Sequence, residues 1–274
     1  FDVFRVSGGR THTYCFHGPI TDEVTTNALN LQPVPEPKEN EPGSADAQYL
    51  SAFKLSKESW LAGDAPDVLE TTWRYSRTPG PGSEMFMASN RFDADSPRKF
   101  TRLHLFGAEG ARVLRADAVC SQWKYKYHCQ MVQKRAAEGE IESAFAALYE
   151  PYADEPFITS RRLLPVAGNE PDAQAAVAIE VKTANGQTDV CYADGRPQMS
   201  AEFQSGDAKF RMAGEFGFYS TDAKGFRQAA LSGGVLLEGP HVRLRVGQAQ
   251  LTAGVVAVDH LKKTLTLDAE WPAT

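Results

Sequence analysis

The sequence predicts an all-β chain, a large antiparallel β-sandwich with few or no helices. Three observations predict it. Apolar and polar residues alternate with a period of two along most of the 274 residues. Strand-length segments recur between turns rich in Gly, Pro, Asn and Asp, without helices between them. Tight-turn signals punctuate the pattern, Gly8-Gly9 near the start and Asn185-Gly186 later being the clearest.

The opening segment, FDVFRVSGGRTHTYCFHG, reads as two strands joined at Gly8-Gly9. Gly supplies the positive φ angles that a two-residue hairpin turn needs. A turn centred there pairs Val6 with Thr11, Arg5 with His12 and Val3 with Tyr14. Arg5, His12, Tyr14 and Phe16 then share one face. Both faces carry aromatics, so both are expected to be covered. A chain that opens on a covered strand without an initiator Met is expected to be the carboxy-terminal part of something longer.

Val24 to Val34 continues as a strand. Pro35 to Asp46, rich in Pro, Glu, Gly and Asn, reads as an exposed loop. Strands follow at Tyr49–Leu55, Asp67–Arg77, Glu84–Phe92 and Phe100–Phe106. In the last of these Phe100, Arg102, His104 and Phe106 share a face. ARVLRADAV and KYKYHCQMVQ alternate again. The stretch KRAAEGEIESAFAALYE has helix-forming Ala and Glu, yet Ile141, Ser143, Phe145, Ala147 and Tyr149 alternate. Gly139 interrupts a helix, so a strand is predicted from about Ile141. Pro151 and Pro156 bracket a turn. Strands follow at Phe157–Val166 and Ala176–Thr183, and Asn185-Gly186 turns the second into QTDVCYAD. From Met199 onward short strands repeat to the end. The whole of 1–274 reads as β-sandwich, with a smaller terminal β subdomain expected from about residue 199.

Composition narrows the function classes. Hydrophobic residues are 42% and charged residues 23%, enough apolar matter for a sizeable core. The net charge of -6, with Lys and Arg scattered, gives no support to nucleic acid as a partner. No apolar run approaches membrane-spanning length, so no membrane partner is expected. Among the cysteines, Cys120 and Cys129 flank one bend; they either bridge or stay as buried free thiols. No pair has the CxxC spacing of a structural zinc site, and no cofactor is read from this chain.

Motifs with a known mechanism are absent: there is no GxSxG, HExxH, GxxxxGK[ST] or GxGxxG. The candidate ligand-binding residues are Arg5, His12 and His17, the first for bidentate recognition of a carboxylate or sulfate and the histidines as donors. Against this stands a plain structural role, since a strand His is commonly a satisfied core residue. His104 and His128 read as half-buried strand residues. The aromatic set Trp60, Trp73, Tyr75, Trp123, Tyr125 and Tyr127 fits either a core or a sugar-stacking platform.

Several segments together resemble the heparinase II/III-like proteins. FDVFRVSGGRTHTYCFHG is similar to that family's DVFRV-x-GG-x-x-H-x-Y-x-x-HG segment. TRLHLFGAEGARVLRADA, FAALYEPYADEPFITSRRLLPV and AVAIEVKTANGQTDVCYAD follow in the family's order. The resemblance implies a supersandwich-like β region behind an α/α-toroid of the same parent protein. It implies a polysaccharide lyase that cleaves uronate-containing glycans by β-elimination, with an acidic polysaccharide as partner. The chemistry needs a neutralised uronate, a base for the C5 proton and an acid for the leaving oxygen. In the family these come largely from the toroid, and a structural zinc is held by residues upstream of the matching segment. No position here matches them, so no catalytic residue and no metal ligand is assigned, and this chain alone is expected to be inactive. The alternative is a non-catalytic carbohydrate-binding or structural sandwich. A periplasmic or extracellular location is implied by the resemblance alone.

Overall fold

A computed structural model of the chain describes residues 1–35, 53–55, 60–75, 97–120, 126–170, 172–249 and 254–267. Within these the protein is all-β, a sandwich of antiparallel strands with no helix. The chain divides into two compact units, Phe1–Phe157 and Ile158–Thr274.

In the first unit the strands are β1 (Asp2–Ser7), β2 (Thr11–Thr26), β3 (Leu29–Pro33), β4 (Phe53–Leu55), β5 (Leu61–Asp64), β6 (Val68–Tyr75), β7 (Lys99–Phe106), β8 (Arg112–Cys120), β9 (Lys126–Arg135) and β10 (Glu142–Ala153). They run in the order β1-β10-β7-β6-β2-β9-β8-β5-β3, with β4 on β8. The long β2 folds this sheet into two layers. Its first part pairs with β9 and its last part with β6. The interior between the layers takes Leu69 and Trp73 from β6, Leu103 and Leu105 from β7, and Phe145 and Ala147 from β10. It takes Tyr14, Val113 and Val132 from β2, β8 and β9. Alternation put these residues on one face, and burying them is what drives the layers together.

The opening turn differs from the sequence expectation. Gly8 and Gly9 both have positive φ, +82° and +80°, as a Gly-Gly turn should. Yet β1 does not pair with β2. It pairs with β10, while β2 pairs with β9. The turn is an arch from one layer to the other. The β9–β10 connection crosses beside it, and the two crossings bond to each other through Gly8 N–H to Ile141 O and Ile141 N–H to Gly9 O. Positive φ satisfies an arch as well as a hairpin, so the glycines did not select between them. Nor is β1 covered on both sides: it is the sheet edge, with Phe1 and Phe4 exposed.

Other segments departed in smaller ways. The predicted Val24–Val34 strand is broken at Asn27-Ala28, with Asn30 at φ 53°. The segment Leu61–Asp64, not predicted, is β5. β10 runs through Pro151, where a turn was expected. Beyond Ala147 the register gives β10 only β7 as neighbour, so the missing N–H costs no ladder bond on an open edge. The Glu84–Phe92 segment, most of the 35–46 loop and Tyr49–Ala52 lie outside the described residues.

The second unit holds β11 (Ile158–Leu164), β12 (Val177–Thr183), β13 (Thr188–Ala193), β14 (Ala201–Ser205), β15 (Ala208–Asp222), β16 (Gly225–Gly239) and β17 (Val242–Arg245). A separate ribbon follows, β18 (Val255–Asp259) with β19 (Thr264–Leu267). Asn185-Gly186 does turn β12 into β13 as expected, with Gly186 at φ +81°. β15 and β16 are 15 residues each and serve both layers. The later part of β15 pairs with β13, its earlier part with β14, and the end of β16 with β17. The bend falls at the register shift between Ala213 and Gly214. Tyr192 from one layer stacks on Phe203 from the other at 5.6 Å. Phe210, Met212 and Leu237 fill the space between.

Candidate functional site

Two places gather chemically capable side chains, one in each unit. In the first unit it is the outer face of the β6-β7-β10 layer. Arg102 stands opposite Glu150 in the β7–β10 register, and His104 opposite Glu70 in the β6–β7 register. Arg102 Nε donates to Glu150 Oε2 at 2.7 Å, and His104 Nε2 lies 3.1 Å from the same oxygen. The other carboxylate oxygen accepts the Phe157 N–H at 2.8 Å. Glu70 reaches Arg102 Nη1 at 3.5 Å and His104 Nδ1 at 3.3 Å. The second of these is an ion-pair distance without hydrogen-bond alignment, since Nδ1 has no hydrogen-bond partner among the described residues. The Arg102 guanidinium sits 5.7 Å over the Tyr152 ring, which stacks on Phe100.

Burial pulls the Arg102 guanidinium down, but the Glu150 and Glu70 carboxylates outweigh it, so its pKa lies above the ordinary value. His104 and Glu150 are fully buried. The charges are spent on one another, and the buried imidazole has no open path to a bound ligand. This is a clamp holding the chain after β10 to the sheet, and it is where His104 belongs, rather than the half-buried setting expected.

The sequence candidates are not brought together. His12 lies between the layers at 4% exposure. Its Nε2 donates to Gly8 O at 2.5 Å, and the Ser143 hydroxyl meets Nδ1 at 2.9 Å. That pins the arch to β10. Phe4 pairs with Phe145 of the interior, so Arg5 points to the opposite, outer face. The shared face expected for Arg5 and His12 is therefore absent. His17 is exposed on β2, opposite the interior residue Phe16. Replacing His12 with Ala should cost about 2 kcal/mol through two lost hydrogen bonds, one buried and one part-buried. Urea denaturation measures it, and an unchanged midpoint would contradict the pinning role.

Among the aromatics, Trp60 and Trp73 are core, at 2% and 0% exposure. Trp123 and Tyr125 lie outside the described residues, as does the Tyr127 side chain. Cys129 is a free, buried thiol pushed up to about 12 by burial, which keeps it unreactive. Among the described residues no group of three or more His, Cys, Asp or Glu is arranged to hold a metal ion.

The second place is the open end of the second unit's sandwich, a cavity of about 490 Å³. One wall is a row across the sheet, Arg162, Glu180, Val190 and Tyr219, neighbours in register. The facing wall is formed by the β14–β15 and β16–β17 turns, with Ser205, Asp207 and His241. Arg162 forks onto Glu180, Nε to Oε1 at 2.9 Å and Nη2 to Oε2 at 3.1 Å, and the Ser205 hydroxyl donates across the gap to Oε2. Nothing in the sequence marks this pair, because Glu180 becomes the partner of Arg162 only through the β11–β12 pairing.

The Arg162 fork holds the Glu180 carboxyl below the ordinary range against burial, which acts the other way. A depressed carboxylate stabilises the fold above its unfolded pKa and loses that contribution as pH falls through its folded pKa. The second unit should therefore lose thermal stability below about pH 4, and Glu180→Gln should flatten that acid limb. A wild-type melting curve with no acid limb beyond that of the variant would rule the linkage out.

No protein-family model matches the chain, and no curated protein matches it.

Proposed function

We propose that this chain is the β-sandwich portion of a heparinase II/III-like polysaccharide lyase that cleaves uronate-containing glycans by β-elimination. It forms a wall of the glycan cleft and a seat for an α/α-toroid, which carries the principal acid and base. One observation supports the reading most. Arg102 and His104 come from one segment of the family resemblance, Glu150, Tyr152 and Phe157 from another. Arg102, His104 and the Phe157 N–H meet at the Glu150 carboxylate, and the Arg102 guanidinium lies over the Tyr152 ring. Arg102 and Glu150, letters shared with the family in two separate segments, thus meet at the centre of one clamp, which is what a common fold requires of distant segments. The zinc and the periplasmic or extracellular location belong to the same proposal, with the metal's ligands outside this chain.

The test is retardation of the chain in gels containing a uronate polysaccharide, with a neutral glucan as control, alongside the absorbance of the unsaturated elimination product. Retardation by the uronate polymer without product is expected. Product from these 274 residues alone would overturn the assignment of catalysis elsewhere. Equal migration in both gels would overturn the glycan role. The non-catalytic carbohydrate-binding reading is favoured by one feature, the second unit's cavity, whose lining includes no residue of the clamp. On that reading retardation persists, but supplying a toroid from a lyase of the family never yields product.

A further inference from the structure

The cavity in the second unit carries an unspent hydrogen-bonding group. Tyr219 is 3% exposed and lines the cavity, and its hydroxyl is buried without a hydrogen-bond partner among the described residues. A buried hydroxyl left unpaired is costly, so a site that keeps one is suited to a ligand that completes it. At the entrance stands Lys182, half exposed, its Nζ 3.8 Å from Glu180 Oε1, too far for a hydrogen bond. Beside it the Arg162 fork has spent Nε and Nη2 on Glu180, and Nη1 makes no described contact with that carboxylate. Phe226, outside the lining, is exposed, its ring 5.5 Å from the Tyr219 ring and 6.4 Å from the exposed His241 imidazole.

Lys182 Nζ and Arg162 Nη1 thus stand as cationic donors at the entrance, and Glu180 is already held by the Arg162 fork. Asp207 lies on the facing wall, and among the lining the Tyr219 hydroxyl has no partner among the described residues. That combination fits a hydroxylated ring bearing a carboxylate. We propose that the open end of the second unit binds a sugar acid, its carboxylate held by Lys182 and Arg162 and one ring hydroxyl paired with Tyr219 Oη. The cavity volume of about 490 Å³ is of the size that takes small ligands. The choice of a sugar over another hydroxylated acid rests on the glycan reading above; the carboxylate and hydroxyl contacts do not.

The test uses the whole chain, titrated with methyl glucuronoside and with its neutral counterpart methyl glucoside, and followed by NMR and calorimetry. Glucuronoside is expected to bind in the millimolar range and glucoside more weakly. Lys182→Met should weaken glucuronoside binding about tenfold and leave glucoside unchanged, as loss of a charge-assisted contact does. Tyr219→Phe should weaken both about fivefold while the melting temperature stays the same or rises, because the variant removes an unpaired buried hydroxyl. A merely structural Tyr219 hydroxyl would lower the melting temperature instead, and that result overturns the proposal. So does glucuronoside binding that is absent, or equal in wild type and both variants. Elimination is not read out here. Failure to find product from any longer protein sinks the lyase reading and leaves this site standing. Loss of the sugar acid leaves the lyase reading standing.

Discussion

Glu150→Ala should destabilise the first unit by about 3–5 kcal/mol, as the breaking of a buried ion pair on one side does. Glu150 is fully buried and is the shared acceptor for Arg102 Nε, His104 Nε2 and the Phe157 N–H. Truncation leaves an arginine of 13% side-chain exposure and a fully buried imidazole to the longer contacts of Glu70, at 3.3–3.5 Å. It also frees the turn after β10. Glu150→Gln keeps the shape and one acceptor for Phe157, so its cost should be smaller, about 2 kcal/mol. Glu70→Ala should cost least, about 1 kcal/mol, since Glu70 is a quarter exposed and reaches its partners only at 3.3–3.5 Å. Equilibrium urea unfolding of the three variants gives the order directly. A Glu150→Ala protein no less stable than Glu70→Ala would show that the clamp is not centred where the distances put it.

The sequence carried half of this clamp. Period-two alternation placed Phe100, Arg102, His104 and Phe106 on one face, and they are on one face. It also favoured a strand from Ile141 over the helix that Ala and Glu suggested, and β10 bears that out. Burial of Phe145 and Ala147 against the other layer overrides a helix propensity of a few tenths of a kcal/mol per residue. Alternation says nothing about which strand lies alongside. Glu150 could be matched to Arg102, and Glu180 to Arg162, only once the β7–β10 and β11–β12 registers were known. The Gly8-Gly9 arch failed for the same reason. Its local chemistry was read correctly, but the partners of β1 and of the first part of β2 lie more than a hundred residues away, beyond any turn rule. β5 was missed because four residues around a Gly are too few for a period to register. The cavity in the second unit had no motif at all. It arises from four strands and two turns that meet only after β15 and β16 bend.

That bend supplies the other large expected effect. Gly234→Ala should cost the second unit about 3 kcal/mol, the upper end for overpacking. A Cβ at Gly234 would press on the Ala213 carbonyl oxygen and the Gly214 Cα, both closer than real Cβ atoms approach. Both obstacles are backbone, at the point where the β15–β16 register shifts, so neither can swing aside. Gly217→Ala is the control for crowding against a side chain: its Cβ would meet the Met212 Sδ, which can change rotamer, and the cost should be smaller. Gly247, with nothing within 4 Å of an added Cβ, should tolerate Ala within about 0.5 kcal/mol. Thermal melts of the three rank them, and a Gly234→Ala protein as stable as Gly247→Ala would refute the close approach. The substitution also has a functional sign. Phe210 and Tyr219 lie on β15 on either side of the bend and line the cavity together. Forcing the crossing apart changes the gap between them. Gly234→Ala should therefore weaken sugar-acid binding even at temperatures where the variant remains folded, whereas Gly247→Ala should not.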